Sequence, residues 1–391
     1  MKILLANFTK MVGDSGGLAK VTSAFANEMV RRGHEVSIVY SDEKEGGFFY
    51  PINKEISTYN LNKISNKMIK FPLSLKIIRE MLRTIGKRPA RTVNSWFQEH
   101  YLLDNLKKYL QVIKPDVIVS YQPAASKLLL CDAKTTIPVI TMSHGDPEDY
   151  FHTYPVKEIP ALTKSAICQV LMPSFEKHIK NHLPDAKTIT IGNAIPQFDF
   201  SADLAADKKQ YKIIFVGRLT KNHKRPHILI EAFSKLAAKY PNWIVEVWGA
   251  KDRAAYYKEL ELLIKSNNLN ARVFLQGSTD KVPEKLQQAD IFAFPSAFEG
   301  FGMALAEGMS VGLPAVGYKN CSAVNEIIKD GKNGFLCDDG VDAFAQALDK
   351  LMGDKELRVK MGKAAKADMA QFAPEKIWQQ WEELMEKAVK G

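Results

Sequence analysis

Two acids and two cations, each pair set among glycines, are the residues of this chain whose types and spacing suit chemistry. In SAFEGFGMALAEGMSVGLP (296–314), Glu299 and Glu307 stand eight residues apart, with Gly300, Phe301 and Gly302 between them and a helical pattern opening near Met303. The glycines let that helix bring its N-terminus close to a bound anion, where the macrodipole favours a phosphate. Glu299 would then face sugar hydroxyls from the loop tip, and Glu307 would accept hydrogen bonds from a ribose diol. The plainer alternative is an acid complementing a helix N-terminus together with a second acid on the surface. In FVGRLTKNHKRPHILIEAF (215–233), Gly217 and Arg218 end a strand, a basic loop follows, and Pro226 opens a helix. Arg218 and Lys224 would supply two fixed cations, which suit a diphosphate leaving group because they stabilise the charge that develops as its bond breaks. A solvated basic loop is the alternative.

Two further positions are weaker. Gly16-Gly17-Leu18 occupies the first strand-to-helix turn, where backbone N–H groups could approach a phosphate or where a tight turn simply needs small residues. It is not a G-x-G-x-x-G fingerprint, and Ser41-Asp42-Glu43 is only a loose candidate for a ribose-binding acid. His144, in SHGD at the end of the apolar run PVITMSH (138–144), is either a structural histidine or a site residue.

Short apolar runs alternating with helical patterns would hold these residues. The expected strands are 2–8, 35–40, 116–121, 138–144, 167–174 and 188–195, then, after the polar stretch FDFSADLAADKK (198–209), 212–217, 243–249, 272–277, 291–296 and 314–318. Such β-α-β alternation implies α/β architecture with parallel sheets covered on both faces. Two such halves imply doubly wound domains whose strand C-termini line a crevice. The boundaries drawn are 1–198 and 199–370, with 371–391 a closing helix that carries Ile377, Trp378, Trp381, Leu384 and Met385 at helical spacing.

On these motifs the chain resembles the retaining glycosyltransferases of family four, which have the GT-B fold. Their E-x7-E element is matched by Glu299 and Glu307, and their V-G-R-L…K-R-P segment by Val216–Leu219 and Lys224–Pro226. The run 312–336 is similar to bacterial enzymes that build surface glycans. The resemblance implies two Rossmann-like domains facing a central cleft, an N-terminal acceptor domain, a C-terminal donor domain and a C-terminal helix closing back on the first. It implies that Arg218 and Lys224 hold the donor diphosphate, that Glu307 binds the ribose and that Glu299 binds the donor sugar. The backbone of Phe301, Gly302 and Met303 would touch sugar or phosphate, Leu305 would join them in binding the donor, Gly217, Gly16 and Gly17 would stand at the two glycine turns, and His144 would lie close to the transferred sugar. The loop Lys221-Asn222-His223 is one residue longer than the commonest form, so Lys221 would be able to share the role given to Lys224. The donor would be a nucleotide diphosphate sugar, UDP-linked, and the acceptor a glycan or lipid-linked hydroxyl compound. Transfer would proceed with retention by front-side attack, the leaving phosphate helping to take the acceptor's proton.

No D-x-D element stands where a metal would sit beside the nucleotide; Asp338-Asp339 lies late in the chain. Neutralisation by Arg, Lys and a helix N-terminus would let transfer run without a metal or cofactor. Four cysteines without C-x-x-C spacing, and no apolar run of signal or membrane-span length, lead to the expectation of a cytoplasmic protein. The formal net charge of +10 is uneven: residues 61–91 hold nine Lys or Arg against one acid, Glu80. A helix expected over 73–88 places Leu75, Ile78, Leu82 and Ile85 on one face and Lys76, Arg79, Arg83 and Lys87 on its neighbour. It would either lie on the anionic inner face of the cytoplasmic membrane or pack as an ordinary domain helix with a solvated basic face. A sugar-nucleotide epimerase on the same scaffold would need no acceptor, so acceptor-free turnover separates it from a transferase. Nucleic-acid binding finds support only in the charge, without interleaved aromatics to stack bases.

Overall fold

A computed structural model describes residues 1–64 and 67–391 and divides them into two compact units. The first comprises Met1–Ile191 with Trp378–Gly391, and the second Gly192–Ile377. Apolar runs with no polar alternation suit strands covered on both faces, and both units are built on such strands.

In the first unit the strands are β1 (Lys2–Asn7), β2 (Glu35–Tyr40), β3 (Ser57–Asn60), the short antiparallel pair β4 (Lys63–Ile64) and β5 (Lys67–Met68), then β6 (Val117–Ser120), β7 (Val139–Met142), β8 (Ile167–Val170) and β9 (Thr188–Thr190). Seven of them form one parallel sheet in the order β3-β2-β1-β6-β7-β8-β9, with Ile3 opposite both Val36 and Val117. Every residue of β6, β7 and β8 is buried. In the second unit β10 (Tyr211–Val216), β11 (Trp243–Trp248), β12 (Val273–Gly277), β13 (Ile291–Ala293), β14 (Ala315–Tyr318) and β15 (Gly334–Cys337) form a parallel sheet in the order β12-β11-β10-β13-β14-β15. This is the doubly wound order, in which the chain reverses direction across the sheet beside its first strand. The reversal falls between β1 and β6 in one sheet and between β10 and β13 in the other.

Several expected strands are shorter than their apolar runs. The stretches 138–144, 167–174, 188–195 and 291–296 contribute only Val139–Met142, Ile167–Val170, Thr188–Thr190 and Ile291–Ala293, because the chain leaves the sheet at its carboxyl edge to form loops. Strand β3 carries no apolar signal; it lies at the sheet edge, paired only to β2, and needs no buried face.

The closing helix Pro374–Lys390 buries Ile377, Trp381, Leu384 and Met385. Trp378 and Trp381 meet Phe25 edge-on at centroid distances of 5.6 and 5.0 Å. Glu382 accepts hydrogen bonds from Arg32 Nη1 at 2.5 Å and pairs with His34 Nε2 at 2.9 Å. Trp378 onward thus packs on the helix Gly17–Arg31 and the turn after it, within the first unit.

The helix expected over 73–88 is two helices, Leu73–Ile85 and Lys87–Phe97, parted by Gly86 in an extended conformation. The four apolar residues expected on one face are divided: Leu75 and Leu82 pack on the core with Phe71 and Phe97, as in an ordinary domain helix, whereas Ile78 and Ile85 are exposed. The exposed apolar face is instead Leu73, Ile77, Ile78, Met81 and Ile85, between 45% and 76% exposed. Of the basic quartet, Lys76 pairs with Glu43 (3.1 Å) and Arg83 with Glu80 (2.7 Å). Among the described residues no helix is long and apolar enough to cross a membrane.

Candidate active site

Loops that follow adjacent strands at a sheet reversal converge, and in the second unit these are the loops after β10 and β13. The first carries Gly217 to Lys224, the second Phe294 to Gly302. A backbone bond knits them, Ala297 N donating to His223 O (2.8 Å), and within the first loop Lys224 N donates to the Thr220 side chain at Oγ1 (3.0 Å). Close approach of the strand ends requires glycine at 249, where φ is +156° and a Cβ would stand 1.8 Å from Gly217 O. At Gly217 itself a Cβ would meet the Phe215 ring at 3.3 Å.

These loops bring Lys224 and Glu299 together, with Lys224 Nζ 2.5 Å from Glu299 Oε1 and both side chains largely shielded. The ammonium also lies 4.9 Å from the centre of the Phe294 ring. Lys221 does not share this place: its Nζ pairs outward with Glu259 at 2.6 Å. Arg218 is exposed at the carboxyl end of β10 and has no ion-pair partner among the described residues.

Sequence reasoning passed over two neighbours of this pair. His223 stacks on Phe298 with centroids 4.2 Å apart, and its Nε2 lies 3.6 Å from Glu299 Oε1. Burial holds this imidazole below its ordinary pKa, the Glu299 carboxylate opposing that shift. Arg225, in the left-handed region at φ +49°, caps the helix Pro226–Leu236. Its Nε donates to Pro295 O (3.0 Å) and its Nη1 to Asp339 (3.0 and 3.1 Å). Asp339 is thus engaged in tying the β15 end to the loop after β13. Both residues lie inside the basic run K-N-H-K-R-P, which was the only signal for them.

Gly302 sits at φ +84°, a conformation that favours glycine, and begins the helix Met303–Ser310. The first intrahelical bond runs from Ala306 N to Gly302 O (3.0 Å), so the N–H groups of Met303, Ala304 and Leu305 precede the helical ladder. The side chains of Phe301 and Leu305 are core: Phe301 packs edge-on to Phe372 at 5.1 Å, and Leu305 is fully buried. Any contact these two make with a ligand is therefore through backbone. Glu307 is half-buried on the same helix, just over one turn from the loop.

The remaining expected residues lie in the first unit. Gly16 and Gly17 open the helix Gly17–Arg31; a Cβ on Gly17 would meet nothing within 4 Å, whereas one on Gly16 would press on the Asp14 carboxylate at 3.2 Å. His144 lies two residues beyond β7, its ring stacked on Tyr121 at 5.3 Å. Its Nε2 is shut off from solvent without a hydrogen-bond partner among the described residues, and burial pushes its pKa down to about 4, so the ring is neutral at neutral pH. Lys76, Arg79, Arg83 and Lys87 belong to the paired helices 73–97 described above.

Two family models match the chain, Glycosyltransferase Family 4 over residues 15–174 and Glycosyl transferases group 1 over residues 196–368. The chain belongs to the family-four type of glycosyltransferase, on the GT-B fold. It is 24% identical to an uncharacterized glycosyltransferase of Haemophilus influenzae, over 97% of this chain and 98% of that one. It is 23% identical to the amylovoran biosynthesis glycosyltransferase AmsD of Erwinia amylovora, over 96% and 97% of the two chains. Among solved structures, HepE of Anabaena in complex with UDP matches this glycosyltransferase with a TM-score of 0.75 at 19% identity, covering 99% of this chain and all of that one.

Proposed function

We propose that this glycosyltransferase moves a hexose-type sugar from a UDP-sugar, with retention and without a metal, to a hydroxyl of a bacterial surface-polysaccharide acceptor. The observation that carries this reading is the shielded Lys224–Glu299 pair, Glu299 on the loop that leads into helix Met303–Ser310 and Lys224 on the loop that carries the exposed Arg218. A diphosphate needs charge neutralisation where its bond breaks; Arg218, Lys224 and the helix N-terminus supply it. On this reading a bound donor draws Lys224 toward its phosphate and frees Glu299 for sugar hydroxyls. Glu307 takes the ribose diol, and Gly217 leaves room for the diphosphate. In the first unit Gly16 and Gly17 expose a helix N-terminus, and His144 acts as a neutral hydrogen-bonding group. UDP bound to HepE and the capsular polysaccharide biosynthesis named for the relative CapM of Staphylococcus aureus support the donor and the acceptor class. Front-side attack suits the site, since the leaving phosphate accepts the acceptor's proton and no second carboxylate has to act as a nucleophile.

The exposed stripe Leu73, Ile77, Met81 and Ile85, on a segment dense in Lys and Arg, supports a peripheral position on the anionic inner face of the cytoplasmic membrane. The test of the donor reading is a thermal-shift panel of UDP, GDP, ADP and their sugar conjugates. UDP compounds should raise the melting temperature by mass action. A protein that ignores every nucleotide is not a nucleotide-sugar transferase, and one that isomerises UDP-sugars without acceptor is the rival epimerase.

A further inference from the structure

The first unit has its own reversal of strand order, between β1 and β6, and a cavity of about 580 Å³ opens there. Phe8 and Thr9 after β1, Ser41 after β2, and Gln122 after β6 form one wall; the helices Leu73–Ile85 and Lys87–Phe97 form the other. A crevice at the carboxyl ends of strands at a reversal point is where open α/β sheets take ligands.

Three side chains give this cavity a chemistry. Glu158 is only 2% exposed. Its Oε1 accepts from Ser95 Oγ at 2.6 Å, while its Oε2 is buried with no hydrogen-bond partner among the described residues. An orphaned buried carboxyl oxygen costs free energy unless something fills it. Arg79 lies over the Phe71 ring (4.9 Å) with Nη1 on Asn94 Oδ1 (3.2 Å) and Nε on Glu80 (3.3 Å). Arg91 lies over the Tyr154 ring (3.9 Å), hydrogen-bonded to Thr153 and 3.5 Å from Asp149. Arg79 and Arg91 both line the cavity, as do Lys10 and Lys44. The other acids on its wall are committed elsewhere: Asp42 accepts from Met11 N and Val12 N, each at 2.9 Å, and Glu43 pairs with Lys76.

We infer that this cavity binds a phosphate-bearing polyol, its phosphate held by Arg79 and Arg91 and one of its hydroxyls hydrogen-bonded to Glu158 Oε2. Resting on the transfer reading above, this compound is the acceptor. The planar guanidinium forks match phosphate oxygens in pairs. Aromatic faces behind them orient the forks, and Glu158 discriminates a polyol phosphate from the bare anion. Burial raises Glu158 to about 7, so the carboxyl can either donate to or accept from a hydroxyl near neutrality. Arg79 stands on the same helix as the exposed apolar stripe, so the phosphate is either that of a lipid head group or that of a soluble compound.

Calorimetry on the full chain with glycerol 3-phosphate, inorganic phosphate and glycerol tests the inference. Glycerol 3-phosphate should bind saturably and more tightly than either fragment. Arg79→Gln and Arg91→Gln should each weaken it by about tenfold or more, the loss of one charge-assisted contact. Glu158→Gln should weaken glycerol 3-phosphate while leaving inorganic phosphate unchanged. UDP binding, measured on each variant, reports that the chain is folded. Absence of saturable binding to the wild type overturns the inference, as does wild-type affinity in both arginine variants or equal affinity for glycerol 3-phosphate and inorganic phosphate. Prior addition of phosphatidylglycerol vesicles assigns the source: abolition of the glycerol 3-phosphate heat supports a lipid head group, and an unchanged heat supports a soluble polyol phosphate. A wild type that binds glycerol 3-phosphate but no nucleotide sinks the transferase reading and leaves the site standing; the converse sinks only the site.

Discussion

Replacing Glu158 with Gln should change how the stability of this protein depends on pH. Burial raises the carboxyl from 4.5 to about 7, against the opposing hydrogen bond from Ser95 and the fields of Lys127 and Arg91. A group whose folded pKa is raised holds its proton more tightly when folded, so its stabilising contribution is complete below pH 4.5 and is lost as pH climbs through 7. A shift of about 2.5 units at roughly 1.36 kcal/mol each bounds the loss at about 3 kcal/mol; between pH 5 and pH 8.5 the wild type should lose about 2.5 kcal/mol through this residue. Glutamine keeps the shape and cannot ionise. Any constant cost from its altered bond to Ser95 cancels when two pH values are compared. Scanning calorimetry of both proteins at pH 5 and pH 8.5 is the assay. At about 2–4 °C per kcal/mol, the variant's melting temperature should gain about 5–10 °C on the wild type over that interval. Parallel melting curves at the two pH values would show that Glu158 does not carry a raised pKa in the folded state, and the reasoning from its burial would fail.

The loop after β10 makes a sharp distinction between two lysines: Lys224→Ala should lower kcat by about 10²–10³, while Lys221→Ala, which removes only an exposed pair with Glu259, should stay near wild type. A dead Lys221→Ala beside an active Lys224→Ala would reverse the assignment. Glu307→Ala should weaken UDP binding in calorimetry more than Glu299→Ala, which should mainly impair turnover of the complete donor; equal losses of UDP affinity would refute that division. Turnover should persist in excess EDTA, and an enzyme restored only by Mg²⁺ or Mn²⁺ would contradict the charge-neutralisation argument. Ile77→Ser with Met81→Ser should abolish flotation with phosphatidylglycerol vesicles and spare UDP binding, since both side chains are exposed. A double variant that floats like the wild type would return the stripe to an ordinary surface.

The composition of the strands, continuous apolar runs without polar alternation, was enough to show two parallel sheets, because a strand buried on both faces has no choice of pattern. The elements that carry Glu299, Glu307, Arg218 and Lys224, two loops and a helix, could be read too, since their local grammar of glycine, proline and charge is short-range. Sequence could not say which of Lys221 and Lys224 stands beside Glu299, because a loop's register depends on what its backbone is tied to, here Thr220 and Ala297. Nor could it say that Leu75 and Leu82 face the core while Ile77 and Met81 face outward. Helical periodicity identifies faces, and only packing against Phe71 and Phe97 decides which face is inside. Glu158 carries no local signal at all. Its burial, its orphaned oxygen and its place near Arg79 and Arg91 arise from segments 63 to 79 residues apart in the chain that strand order brings to one reversal point. Local chemistry is written in neighbours along the chain, whereas a pocket is written in neighbours across it.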